Sequence, residues 1–156
     1  MRKIAELQNL AGRKAFVTGG AGHVALAVEE TLMELGADLM ISDKDVAACR
    51  QRAEYLTSRG NSRVLVSESD LVDPDAVRST MRQVPAQLGG LDILVHCAAM
   101  VAASRKDGWS VPFERQTVDA WEDEIRIELT AVFVMAQEAR ASLEASGRGS
   151  VILFGS

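Results

Sequence analysis

The sequence predicts an α/β fold built on a doubly wound parallel sheet, and three observations carry that reading. Five short apolar runs alternate with longer amphipathic stretches along the 156 residues. The runs are apolar throughout instead of alternating with polar residues, as strands covered on both faces are. A glycine-rich turn joins the first run to the first helical stretch, where a parallel sheet presents backbone amides to a ligand. Residues 1–156 are expected to form one domain.

Ala15-Phe16-Val17-Thr18 is the first strand, and Thr18-Gly19-Gly20-Ala21-Gly22-His23 is the turn after it. From His23 to Leu35, apolar residues including Val24, Val28, Leu32 and Leu35 recur at helical spacing, and Gly36 stops the helix. Leu39-Met40-Ile41 forms the second strand, ending at Ser42-Asp43. The next helix runs to about Ser58 with Val46, Cys49, Ala53 and Leu56 inward, and Gly60-Asn61 breaks it. Val64-Leu65-Val66 is the third strand.

Asp73-Pro74 opens the third helix, because Asp caps free amides and Pro suits the first helical position. Val77, Met81, Val84 and Leu88 line its apolar face, and Pro85 is expected to kink it or end it early. Leu91 to Val95 make the fourth strand. Residues 100–116 read as a loop whose Trp109, Val111 and Phe113 either line a pocket or, as the favoured reading, anchor it to the core. A long helix is expected from Val118 to Ala145. Its middle, Leu129 to Ala136, is so apolar that cover on more than one side is expected. Gly147 ends it, and Val151-Ile152-Leu153-Phe154 is the fifth strand.

Composition sets limits on function. A formal net charge of −5 leaves no basic stripe for nucleic-acid phosphates, so no nucleic-acid partner is expected. Cys49 and Cys97 make neither a disulfide framework nor a metal cluster, and no metal is expected. The first six residues carry an acid and no long apolar stretch, and no run approaches the ~18 apolar residues of a membrane span. The expected compartment is the cytoplasm, with no membrane partner.

The glycine turn carries the chemistry. Without Cβ atoms the backbone can turn sharply and approach a ligand, while the unpaired amides that open the next helix face its phosphates. About 20 residues on, Asp43 ends the second strand, placed to accept both adenosine ribose hydroxyls and to repel a 2′-phosphate. The bland alternative is a tight turn whose following acid merely caps a helix. The complete strand, turn, helix, strand and acid context favours a dinucleotide, and Asp43 favours NAD over NADP. Lys44 beside it is the residue that argues for a 2′-phosphate.

On these residues the chain resembles the short-chain dehydrogenase/reductase family over essentially its whole length. Thr18, Gly19 and Gly22 match a Thr-Gly-x-x-Gly-x-x-Gly fingerprint in which Ala25 replaces the last glycine. Asp70-Leu71 falls where the family places an Asp against the adenine amino group. His96-Cys97-Ala98-Ala99 stands where it carries Asn-Asn-Ala-Gly. Glu128 falls at the helix Asn of its proton relay, and Trp121 begins what looks like its dimer-forming helix. Gly149 to Ser156 resembles the fifth strand that leads to its catalytic Ser.

The resemblance implies a Rossmann-type sheet in the order 3-2-1-4-5, cut short after its fifth strand. It implies a cofactor site at Thr18, Gly19, Ala21, Gly22, His23, Val24, Asp43, Asp70, Leu71, Cys97, Ala98 and Ala99. Ser156 would be the catalytic Ser, stabilising a developing oxyanion on an alcohol or carbonyl substrate. The family's Tyr-x-x-x-Lys pair follows that Ser, whereas here the only tyrosine, Tyr55, has Arg59 four residues on. The expectation is therefore the cofactor half of an NAD(P)-dependent oxidoreductase, inactive alone and forming a homodimer or homotetramer in the family's manner. A non-catalytic NAD-binding scaffold and a nucleotide-sugar epimerase or dehydratase are the alternatives. His96 is expected to be structural, and Tyr55 a partly buried helix residue.

Overall fold

The computed structural model describes residues 8–101, 104 and 106–155. In chain order they form β1 (Lys14–Thr18), α1 (His23–Glu34), β2 (Asp38–Asp43), α2 (Val46–Thr57), β3 (Val64–Glu68), α3 (Pro74–Leu88) and β4 (Ile93–His96). After a loop holding a short 3-10 turn at Phe113–Arg115 come α4 (Val118–Ile125), α5 (Ala131–Ser146) and β5 (Ser150–Leu153). The five strands make one sheet in the order β3-β2-β1-β4-β5, and every pairing is parallel. This is the expected doubly wound architecture and order.

The two-residue period of a strand explains why both faces are covered. Ala15, Val17, Leu39, Ile41, Ile93 and Val95 point to one face, where they pack with Ala25, Leu32, Cys49 and Leu56 of α1 and α2. Phe16, Met40 and Leu94 point to the other, against Val77, Met81 and Val84 of α3 and Val134 and Met135 of α5. The ends of three strands are tied by Asp92, which accepts from the Lys14 amide at 2.8 Å and pairs with Arg13 at 3.2 Å. Its carbonyl takes the Ser150 amide at 2.9 Å.

Three local expectations change. Pro85 does not end α3, which continues to Leu88; Val84 and Leu88 are buried on either side of it and hold the last turn against the core. The last turn closes when the Gly89 and Gly90 amides bond the Pro85 carbonyl. The long helix is broken in register by a π-helical segment, Arg126–Thr130, closed by the Ala131 amide on the Arg126 carbonyl. The apolar middle of that helix is covered on one side only: Ala131, Val134 and Met135 are buried, while Leu129 and Phe133 are each 61% exposed.

In the 100–116 loop, Trp109 does anchor, its indole N–H donating to the Met100 carbonyl at 2.9 Å. Phe113 does not, at 87% exposed. The outer edge of β5 has no strand partner among the described residues, and Val151, Ile152 and Leu153 are exposed along it. No helix among the described residues is long and apolar enough to cross a membrane.

Candidate dinucleotide site

A cleft of about 660 Å³ opens at the carboxyl ends of β1, β2, β3 and β4, beside the start of α1. Such a crevice, where the connections on the two sides of β1 diverge, is where open parallel sheets bind ligands. Its walls are built by local necessities of the chain.

Gly19 follows β1 at φ +67, and a Cβ there would lie 2.6 Å from the Ala98 amide nitrogen. Only glycine lets the turn press so closely on the strand-four loop. The turn is closed by the Gly22 amide on the Gly19 carbonyl at 2.8 Å and tied to β2 by the Gly20 amide on the Ser42 carbonyl at 3.0 Å. Gly22 then caps α1 without any side-chain acceptor, and no acid stands in the first turn. The amides that open α1 are therefore left for a ligand, and the positive end of the helix dipole favours an anion.

Asp43 does two jobs at the end of β2. Its Oδ2 accepts from the Ala21 amide at 3.3 Å, and its Oδ1 from the Asp45 amide at 3.1 Å. It is not the cap of α2: that role falls to Asp45, which accepts from the Ala48 amide at 3.0 Å. Asp43 and Lys44 both line the cleft. On the β3 side, Asp70 and Leu71 line it too, with Asp70 Oδ1 fixed by the Val72 amide at 3.0 Å.

Of the sequence-derived residues, Gly19, Gly22, His23, Val24, Asp43, Asp70, Leu71, Cys97, Ala98 and Ala99 line the cleft. Thr18 and Ala21 do not, and they act from behind. Thr18 is buried, its Oγ1 hydrogen-bonded to His96 Nδ1 at 2.8 Å. Ala21 offers its amide to Asp43 and its carbonyl to Arg52 at 3.3 Å. Ser156 lies outside the described residues. Tyr55 is exposed on α2, not partly buried as expected, and donates to Glu30 at 2.7 Å, away from the cleft.

His96 is enclosed as expected, and burial pushes its imidazole below the usual value while Glu128 acts the other way. Cys49 and Cys97 are free thiols, and burial pushes Cys97 up to about 11, so neither is a poised nucleophile.

The cleft also holds residues that sequence reasoning missed. Ser42 and Ser69 line it as buried hydroxyls whose Oγ atoms have no hydrogen-bond partner. Orphaned buried hydroxyls beside Asp43 and Asp70 suit a polar, ring-and-ribose ligand that supplies the absent partners. No local pattern marks them, because a serine ending a strand is ordinary until the neighbouring strand end encloses it. Lys106 and Asp123 meet at the far end, 2.7 Å apart, and Asp119 also pairs with Lys106 at 2.6 Å.

Glu128 lies in the π-helical segment, and the carboxyl of Glu124, four residues earlier in the chain, is pushed up to about 7, first by burial and then by Glu128. A carboxyl that holds its proton more tightly when folded adds stability that is full below its unfolded value of 4.5. That stability is lost as pH rises through about 7. Glu124→Gln is therefore expected to lose less stability than the native chain between those pH values, measured by urea unfolding. Equal losses in both chains would contradict the assignment.

The family model for short chain dehydrogenase matches residues 13–156. An uncharacterized oxidoreductase of Thermotoga maritima is 30% identical over 143 residues, which are 92% of this chain and 53% of that protein. Among solved structures, a metagenomic short-chain oxidoreductase in complex with NADP is 25% identical with a TM-score of 0.83, covering 95% of this chain and 64% of the other. A short chain dehydrogenase from Burkholderia cenocepacia in complex with NADP is 28% identical with a TM-score of 0.77, covering 86% and 52%. The chain thus spans about half the length of the Thermotoga relative.

Proposed function

Because the chain belongs to the short-chain dehydrogenase family, we propose that its cleft holds NAD and serves hydride transfer between an alcohol and a carbonyl. The carrying observation is the pairing of a helix start that has no side-chain cap and no acid with Asp43, two ligand-facing features of opposite preference at one cleft. Amides of the turn and of α1 take the pyrophosphate. Asp43 accepts from the adenosine ribose, Asp70 faces the adenine, and Cys97, Ala98 and Ala99 leave room for the backbone to pass along the cofactor. NAD, when bound, accepts or supplies the hydride; the side chains above only orient it and exclude water.

Asp43 disfavours a 2′-phosphate and Lys44 favours one, and both line the cleft. Asp43 is the fixed member, held by two amides, so NAD is the preferred cofactor. Titration by fluorescence transfer from Trp109 and Trp121 to reduced cofactor tests this: NADH is expected to bind more tightly than NADPH. Tighter NADPH binding would refute the role given to Asp43.

Residues 1–156, acting as one cofactor-binding domain, are proposed to bind without turnover, with Ser156 as their one catalytic group. The support is the absence of any Tyr-x-x-x-Lys in these 156 residues. Cofactor-dependent reduction of simple ketones by this polypeptide would refute it. The exposed apolar side chains Val118, Trp121, Leu129 and Phe133 along the helical run from α4 to α5 are proposed to pair two copies, since large apolar groups left in water favour association. Light scattering of the native chain is expected to give a dimer or tetramer that Phe133→Glu dissociates, and a native monomer would contradict the pairing.

A further inference from the structure

Behind the glycine turn lies an ion pair to which the proposed cofactor contacts assign no role. Glu29, on α1, is 0% exposed, and Arg52 of α2 reaches its Oε2 with Nη1 at 3.0 Å. The same guanidinium donates to the turn, from Nη1 to the Gly22 carbonyl at 3.2 Å and from Nη2 to the Ala21 carbonyl at 3.3 Å. Gly20 backs onto the other carboxyl oxygen: a Cβ there would lie 3.2 Å from Oε1. That oxygen is buried and has no hydrogen-bond partner. One arginine is thus shared between a half-satisfied carboxyl and the carbonyls of a loop whose amides face the cleft.

Resting on the reading that this cleft binds a dinucleotide, we propose that Arg52 positions the glycine turn and that binding is coupled to proton uptake by Glu29. Ionised Glu29 cancels the Arg52 charge and, with Asp43, puts negative charge behind the turn that receives a pyrophosphate. Protonated Glu29 leaves the Arg52 charge to offset that of Asp43, so the ground behind the turn is one unit less negative. An anion in the cleft therefore favours the protonated form, and by reciprocity the protonated form favours the anion.

The titratable groups facing Glu29 are Arg52 and Cys49 from α2, Asp43 from the end of β2, and Cys97 after β4. Arg52 is the one cation among them, and both thiols are pushed well above neutrality by burial. Burial raises Glu29 to about 7 against the pull of Arg52, so a proton taken up on binding is measurable near neutral pH.

The test is calorimetry of the native chain with NADH and with ADP-ribose, whose pyrophosphate does not titrate near neutrality, in two buffers of different ionisation enthalpy. Proton uptake is expected with both ligands, and affinity is expected to fall roughly threefold or more between about pH 6 and about pH 8. Glu29→Gln is expected to bind without uptake and with a flat pH profile. Arg52→Lys, which keeps the charge and loses the fork, is expected to bind more tightly than Arg52→Met and less tightly than native.

His23 is a second titratable group at the cleft, so His23→Asn is measured alongside. Binding by the native chain without uptake, or uptake that disappears in His23→Asn and persists in Glu29→Gln, would overturn the coupling while leaving the dinucleotide reading intact. Failure of the native chain to bind either ligand would overturn both. Should Glu29→Gln not fold, the native and His23→Asn measurements decide the matter alone.

Discussion

Gly19→Val is expected to lower stability by about 3 kcal/mol and to abolish dinucleotide binding at the same time. Gly19 sits at φ +67, and its Cβ would meet Ala98 N at 2.6 Å, Ala98 Cα at 2.7 Å and the Cys97 carbonyl carbon at 2.9 Å. All three are backbone atoms, so no flexible side chain can give way; the turn or the strand-four loop must move. Either movement shifts the amides that face the cleft. Gly89→Ala supplies the control, because Gly89 also has positive φ, at +82, and a Cβ there meets nothing within 4 Å. It is expected to lose about 1 kcal/mol, the strain of the backbone alone, with cofactor affinity unchanged. Urea unfolding and NADH titration of the two variants separate conformational strain from close approach. Equal effects at the two positions would show that the contact with Ala98 is unimportant.

Asp43→Ala is expected to weaken NADH binding by about tenfold to a hundredfold, the range for losing hydrogen bonds to a charged acceptor. The loss has two parts. The carboxylate no longer accepts from the ribose, and the Ala21 amide, now bonded at 3.3 Å, loses its acceptor, so the turn loosens. Asp43→Asn retains an acceptor oxygen for Ala21 and should fall between native and Ala. Removal of the carboxylate also removes repulsion of a 2′-phosphate, and Lys44 remains at the cleft. NADPH should therefore weaken less than NADH, or strengthen. Unchanged NADH affinity in Asp43→Ala would count against the whole placement of the ribose.

Most of the fold could be read from the sequence because the central strands β1, β2 and β4 had to be apolar on both faces. Phe16 and Met40 serve one core while Ala15, Val17, Leu39 and Ile41 serve the other, and that demand leaves an unbroken run. The glycine turn was legible for a similar reason: Gly19 answers a local backbone need that no other residue meets. What the sequence hid depends on contacts between distant segments. Glu29 carries no signal in its own neighbourhood, because its partner Arg52 stands 23 residues on and only the fold brings the two together. Ser42 and Ser69 become orphaned hydroxyls only when the ends of β2 and β3 enclose a cleft.

The π-helical turn at Arg126–Thr130 follows apolar spacing close to that of an ordinary helix, so periodicity could not reveal it. The apolar run from Leu129 to Ala136 implies cover on more than one side, yet Leu129 and Phe133 stand exposed. Which of its sides the chain covers for itself was fixed by the packing of α5 on α3 and the sheet.

The most direct test of a dinucleotide held between the glycine turn and Asp43 is amide chemical-shift mapping of the isotope-labelled native chain during titration with NADH. Saturable shifts are predicted at Gly19, Gly22, Val24, Asp43 and Asp70, with Val118, Trp121 and Phe133 unmoved. Shifts confined to the latter face, or no saturable shift at the glycine turn, would contradict the account.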